Sequence, residues 1–200
     1  MGGDARPRRS VTASTVAVRG VPSLRNLPGA RRDVPTHPRC TRAILLRVGG
    51  LLVRRARPSD LDQLLALYRA LAGDKRSAVP SARAASLPIL ERALTDDGRH
   101  LVVAELDGRV CATADMVIVS QLTHHGMPWA IVENVVVADE YRRKGIATEI
   151  MRHLIDISRR AGCCKLELLS GKHRRGAHAL YRSIGMQAVS EGFKLYFDEP

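Results

Sequence analysis

The sequence predicts an α/β or α+β layer fold, a mixed sheet with helices on its faces, spanning residues 49–200 behind a basic leader. Three observations predict it. Short apolar runs of strand length alternate with segments of helical period, in the order β-α-α-β-β-β-α-β-α-β. A favoured turn dipeptide, Asp107-Gly108, joins two apolar runs into a hairpin. A long amphipathic segment follows the most apolar strand, as in a crossover from one strand to the next. The composition is 45% hydrophobic and only 4% aromatic, which makes the core one of Leu, Val, Ile and Ala.

The leader, residues 1–48, has no sustained period of 2 or 3.6 and is rich in Arg, Pro, Ser, Thr and Gly, so it is not expected to fold alone. It carries ten Arg against two Asp, which accounts for +8 of the net charge of +12. The charge is therefore mostly a property of the leader. A targeting segment, a plain tail or a misassigned start all fit it; the stretch shows no clean amphipathic helix.

Order is expected from Leu51-Leu52-Val53-Arg54-Arg55-Ala56, a short strand. Ser59 or Asp60 after Pro58 can cap a helix carrying Leu61, Leu64, Leu65, Tyr68 and Leu71 at helical spacing. A second helix is expected over Pro88 to Leu94, ended by Asp96-Asp97-Gly98. The hairpin follows, with strands Leu101–Leu106 and Val110–Val119. Beyond the loop from Ser120 to Pro128, Trp129 to Ala138 reads as a strand apolar on both faces, hence central. Gly145 to Ala161 forms a helix with Ile146, Ile150, Leu154, Ile157 and Ala161 on one face and Glu149, Arg152, Asp156 and Arg159 on the other. A strand at Lys165–Leu169, a helix from Gly176 to Ile184 stopped at Gly185, and a last strand near Phe193–Phe197 complete the order.

No run approaches the ~18 apolar residues of a membrane span, so a protein without a membrane partner is expected. Cys40, Cys111, Cys163 and Cys164 form neither a metal nor a disulfide framework and read as small core thiols of a cytoplasmic protein. Cys163 and Cys164, adjacent in an apolar run, are expected on opposite faces of a strand. His124, His125, His173 and His178 lack metal-ligand neighbours at a fitting spacing, and no metal is expected. No DNA- or RNA-binding motif lies in residues 49–200, and aromatic residues are few, so no specific nucleic acid is expected.

The segment from Val132 through Ala147 carries the chemistry. It reads as a buried strand, a basic turn and a helix start. Free amides at a helix N-terminus, backed by the positive end of the macrodipole, form an anion site. Arg142, Arg143 and Lys144 sit where that dipole opposes positive charge, so the free protein gains nothing from them. A bound polyanion reverses the sign. Gly145 permits close backbone approach, and Ala147 leaves room beside it. The pattern is neither a P-loop nor a dinucleotide fingerprint.

Arg142-x-x-Gly145-x-Ala147 after an apolar strand resembles the pyrophosphate loop of the GNAT superfamily, whose members move acetyl from acetyl-CoA to an amine. Two further segments match in order. Val135-Val136-Val137 is similar to the strand whose backbone bonds the pantetheine arm. Ala177 to Met186 resembles the family's late Ala-x-x-Phe-Tyr-x-x-x-Gly-Phe segment, with Leu180 and Met186 replacing aromatics. The 36 residues from Gly145 to Tyr181 suit one helix, one strand, a loop and a helix. The resemblance covers residues 51–197 and implies a mostly antiparallel twisted sheet flanked by helices on both faces. It implies that acetyl-CoA is held by Val135, Val136, Val137, Arg142, Arg143, Lys144, Gly145, Ile146, Ala147 and Thr148. Arg174 stands where many relatives have Asn seven residues before the Tyr, and its cation can still reach a phosphate.

Direct transfer to an amine needs a base for the ammonium proton and an acid for the departing thiolate. Glu133, the one carboxylate between Ile131 and Val137, is the candidate base, with partial burial expected to tune it; the alternative is a carboxylate paired to an Arg or facing solvent. Tyr181 is the candidate acid by resemblance; the alternative is an amphipathic core Tyr. The acceptor is expected to be a small primary amine or an amino sugar, with a protein N-terminus or lysine as the alternative. A non-catalytic acyl-CoA-binding module and a homodimer also fit the residues.

Overall fold

The computed structural model describes residues 46–48, 50–72, 83–195 and 197. Its strands are β1 (Leu46–Val48), β2 (Leu51–Arg55), β3 (Arg99–Leu106), β4 (Arg109–Val119), β5 (Trp129–Val137) and β6 (Leu166–Leu168). Its helices are α1 (Leu61–Ala72), α2 (Arg83–Thr95), α3 (Ile146–Arg160) and α4 (Arg175–Ser183). The six strands form one sheet in sequence order. Every neighbouring pair is antiparallel except β5 and β6, which are parallel because α3 carries the chain back across the sheet between them.

Alternation along the strands assigns the faces. Val102 and Ala104 of β3 pack with Ala112, Ala114 and Met116 of β4 and with Ile146, Ile150, Met151, Leu154 and Ile157 of α3. Leu101 and Val103, pointing the other way, pack with Leu61, Leu64, Leu65 and Leu67 of α1 and Leu90 of α2. The expected mixed sheet with helices on both faces is what the chain forms. The stripe predicted on α3 is the one it buries, from Ile146 to Ile157, and Asp107 and Gly108 close the predicted hairpin with φ of +51° and +77°.

Four expectations are corrected. A described strand precedes Leu51, the expected first strand residue: β1 pairs with Leu51–Val53 of β2. A three-residue strand has no period to read. The rest of the leader, with Cys40, lies outside the described residues.

Next, α2 starts at Arg83, five residues before Pro88, which lies within it. Proline favours a first turn, but here the Ala84 carbonyl that would accept from residue 88 is on an exposed stretch where water can serve it. Cys163 and Cys164 lie in the turn after α3, not in a strand; the Cys164 amide donates to the Pro128 carbonyl at 2.8 Å. Finally, no strand forms over the described residues of 193–197. Phe193, Leu195 and Phe197 alternate as a strand would but stand 88%, 78% and 89% exposed, since a pattern of alternation cannot supply the neighbouring edge that a strand requires.

A buried ion network fixes the entry into α1. Arg54 of β2 meets Asp60 through two hydrogen bonds of 2.7 and 2.8 Å and donates to Glu105 of β3 at 2.8 Å. Asp60 also accepts from the Arg57 amide at 2.7 Å, so the expected capping residue reaches back to a turn amide rather than forward into the helix. Burial pushes the Asp60 carboxyl up, but the bonds from Arg54 and Arg57 outweigh it and the net shift is downward. A lowered folded value means stability present above the unfolded carboxylate value and lost as pH falls through the folded one. Asp60→Asn is expected to cost about 2 kcal/mol in urea unfolding at pH 7, below the ~3–5 kcal/mol of a fully orphaned buried charge because Glu105 remains for Arg54. The deficit should shrink in acid, where the wild-type carboxyl protonates too.

Candidate active site

The site begins where β5 and β6 part. β6 pairs with β5 only over Ala130, Ile131 and Val132. From Glu133 onward β5 keeps β4 on one side and has no strand on the other among the described residues, so that edge of residues 133–137 carries no ladder partner. A bulge lies at its start. Thr113 faces Val136 and Asp115 faces Glu133, which sets Asn134 and Val135 against Ala114 alone. Asn134 takes φ of +56°, a left-handed conformation that Asn tolerates better than most residues. The bulge re-aims the strand, with Val135 and Val137 packed against the α3 side and Val136 against the α1 and α2 side.

The chain then makes a single turn of 3-10 helix over Asp139–Tyr141 and enters α3 through two left-handed residues, Arg143 with φ of +60° and Gly145 with φ of +79°. Gly145 caps a fifteen-residue helix without a side chain, and the first amide to find an intrahelical acceptor is that of Glu149, bonded to the Gly145 carbonyl at 3.1 Å. The amides of Ile146, Ala147 and Thr148 are thus left for a ligand. A Cβ placed on Gly145 would meet nothing within 4 Å, so the approach to these amides is open. Ile146 is buried and anchors the helix start, while Ala147 and Thr148 are half-buried. Free amides, a helix dipole and left-handed residues alternating with others form a concavity suited to phosphate oxygens.

The three cations of the turn do not act alike. Arg142 folds back, its Nη2 at 2.6 Å from Asp139 and its Nε donating to the Val137 carbonyl at 3.3 Å, so it braces the end of β5. Lys144 stands over the Tyr141 ring, 5.2 Å from the centroid. Arg143 is exposed, and no sequence signal announced its left-handed backbone.

Glu133, Tyr181 and Arg174 come from β5, α4 and the residue before α4, and the fold brings them together. Tyr181 is half-buried against the α3-side core. Burial raises the pKa of its phenol, the Arg174 cation opposes this, and the Glu133 carboxylate adds to the rise; the net shift is upward, so Tyr181 keeps its proton through neutral pH. Partial burial of Glu133 was expected and is not found. The residue is exposed, because β6 ends opposite Val132 and leaves the next position uncovered. The histidines singled out from the sequence lie on loops or at partly covered positions: His124, His125 and His173 are exposed and His178 is half-buried.

Sequence reasoning missed one group on this site's flank. Asp115 of β4, the cross-strand partner of Glu133, is buried and holds Arg99 of β3 through bonds to Nε of 3.0 and 3.1 Å and a closer one to Nη2. The available signal was a lone carboxylate within the apolar run Val110–Val119.

Among the described residues no group of three or more His, Cys, Asp or Glu is placed to hold a metal, and no helix is long and apolar enough to cross a membrane.

Comparison with known proteins places the chain in a family. The model of the Acetyltransferase (GNAT) family matches residues 64–186, a span that runs from α1 to the residues just after α4. A thialysine N-epsilon-acetyltransferase of Bos taurus is 26% identical over 154 residues, covering 70% of this chain and 86% of its own length. A solved structure from Agrobacterium tumefaciens str. C58, classed as an acetyltransferase, shares 33% identity at a TM-score of 0.67 over 72% of this chain and 98% of its own. Glucosamine-6-phosphate N-acetyltransferase from Arabidopsis thaliana, 21% identical, superposes with a TM-score of 0.65 over 74% and 99% of the two chains and shows the shared fold.

Proposed function

Because this chain belongs to the GNAT acetyltransferase family, we propose that it transfers acetyl directly from acetyl-CoA to a primary amine of a small molecule or amino sugar. The observation that carries this reading is the nearness in sequence of a β5 edge that no described strand covers beyond Val132 and an open helix start at Ile146–Thr148. A thioester-bearing diphosphate of extended shape suits such an edge and turn. The small-amine acceptor is supported by the bovine relative, whose name gives thialysine as its substrate.

Acetyl-CoA supplies the thioester carbonyl and the thiolate leaving group. The amides of Ile146, Ala147 and Thr148 hold its diphosphate, with the Arg143 and Lys144 charges beside them and Arg174 within reach of a phosphate. The exposed edge of Val135–Val137 aligns the pantetheine arm through main-chain bonds, and an N–H on the same edge polarises the carbonyl. Glu133 takes a proton from the acceptor ammonium, directly or through a water, which frees the nitrogen lone pair to attack. As the new C–N bond forms and the C–S bond breaks, Tyr181 gives its proton to sulfur, and the second proton on the new amide nitrogen passes through water to the Tyr181 phenolate, leaving a neutral amide and the thiol of coenzyme A. The upward shift of Tyr181 keeps its proton available at neutral pH.

Thiol release by the full chain with acetyl-CoA and a panel of amines tests the reading. Turnover with at least one small primary amine is expected; thiol release no faster than hydrolysis across the panel, with coenzyme A still bound, would leave only a binding module. Glu133→Gln is expected to lower kcat/KM at pH 7 about tenfold, less than the ~10²–10⁴ of a positioned acid or base, since water can take over part of the role at an exposed position. The deficit should close as pH rises toward the amine's own value; a constant deficit up to pH 10 would argue that Glu133 is not the proton acceptor.

A further inference from the structure

Glu133 does not stand alone on its face of the sheet. Asp115 is its direct partner across the β4–β5 ladder, so the two side chains leave the same face with Cβ atoms about 5 Å apart. Thr113 and Asp115 lie toward α1: the Tyr68 hydroxyl bonds to Thr113 and feels the Asp115 charge. A bare buried carboxylate beside a second one would be repelled by it. Asp115 is instead tied to Arg99, the diagonal neighbour from β3, whose Nε and Nη2 both face it while the arginine side chain stays 38% exposed.

We propose that Arg99 and Asp115 are positioning residues for Glu133, the pair holding a neutralised carboxylate beside it so that Glu133 is the uncompensated charge on the acceptor face. The inference rests on the reading of Glu133 as proton acceptor. Neutral pairing could have been achieved with two apolar residues at no desolvation cost; an ion pair placed opposite the reacting carboxylate fixes the local field as well as the strand geometry. Tyr68, mostly buried beside the pair, is pushed up to about 12, first by burial and then by Asp115, and so contributes a neutral hydroxyl rather than a third negative charge. Asp115 from β4 shares the face of Glu133, with Arg99 from β3 tied to it, while Tyr181 of α4, packed against the α3-side core, feels the Glu133 charge and that of Arg174.

The test is the pH dependence of kcat/KM for the full chain with an amine that turns over, in Arg99→Gln, Asp115→Asn and the double variant. In Arg99→Gln, Asp115 is left uncompensated, and the acid limb should move up by about one unit, a roughly tenfold loss on that limb. In Asp115→Asn, the Arg99 cation is left uncompensated, and the limb should move down. The double variant, neutral and nearly isosteric, should return it to within a few tenths of a unit.

Asp115→Asn alone carries the test if Arg99→Gln fails to fold. A pair that is merely structural would change unfolding midpoints while the limb stayed in place, and a limb unmoved in folded Asp115→Asn overturns the proposal. Glu133→Gln separates the two failures. If it abolishes the limb while Arg99 and Asp115 leave it unmoved, only the positioning role falls; if the limb survives in Glu133→Gln, the proton-acceptor reading falls and this proposal with it.

Discussion

Replacing Gly145 by Asp is expected to raise the dissociation constant of coenzyme A about 100-fold, or ~2.7 kcal/mol. Two effects add. Gly145 sits at φ of +79°, where a side chain is strained, and the space its Cβ would fill is the open approach to the amides of Ile146–Thr148. The carboxylate then occupies the position of a phosphate and itself attracts the helix dipole. That Cβ meets no protein atom, so the folded protein loses only the left-handed strain, about 1 kcal/mol, and the thermal midpoint should fall by a few degrees. Calorimetric titration with coenzyme A checks the first expectation and a melting curve the second. Unchanged affinity in a folded variant would remove the turn from the binding site.

Tyr181→Phe is expected to lower kcat about 100-fold while leaving coenzyme A affinity within about twofold, the signature of a group that acts only on the departing thiolate. The ring is retained, so its packing against the α3-side core survives and the loss reports on the hydroxyl. The shift of Tyr181 also sets a pH expectation. Burial, partly offset by Arg174 and reinforced by Glu133, holds the proton on well above neutrality, so its loss should add an alkaline limb to kcat, separate from the acid limb assigned to Glu133. The variant should lack this alkaline limb. Equal kcat in the two proteins would return Tyr181 to a packing role.

What could be read from the sequence was what local chemistry decides. The stripe Ile146, Ile150, Leu154, Ile157 required a buried helix face and Asp107-Gly108 required a hairpin, and both are in the structure; Gly145 stands, as its place before an amphipathic helix suggested, at the helix start, with a left-handed backbone. What escaped depends on neighbours distant in sequence. β1 exists only because Leu51–Val53 offers an edge, and its three residues carry no period. The bulge at Asn134 and Val135 arises from the mismatch of β4 against β5, which neither strand shows alone. Arg99 and Asp115 lie sixteen positions apart, and only the register of the hairpin brings them into contact. Conversely, Phe193–Phe197 alternates like a strand yet forms none over its described residues, because alternation describes a segment's faces and not the presence of an edge to join.

The most direct test of the account is a crystal structure of the chain grown with coenzyme A. The diphosphate should accept hydrogen bonds of about 2.7–3.2 Å from the amides of Ile146, Ala147 and Thr148, with the pantetheine arm running along the free edge of Val135–Val137. Coenzyme A bound with its diphosphate elsewhere, and the Gly145 turn unchanged and in contact only with water, would contradict it.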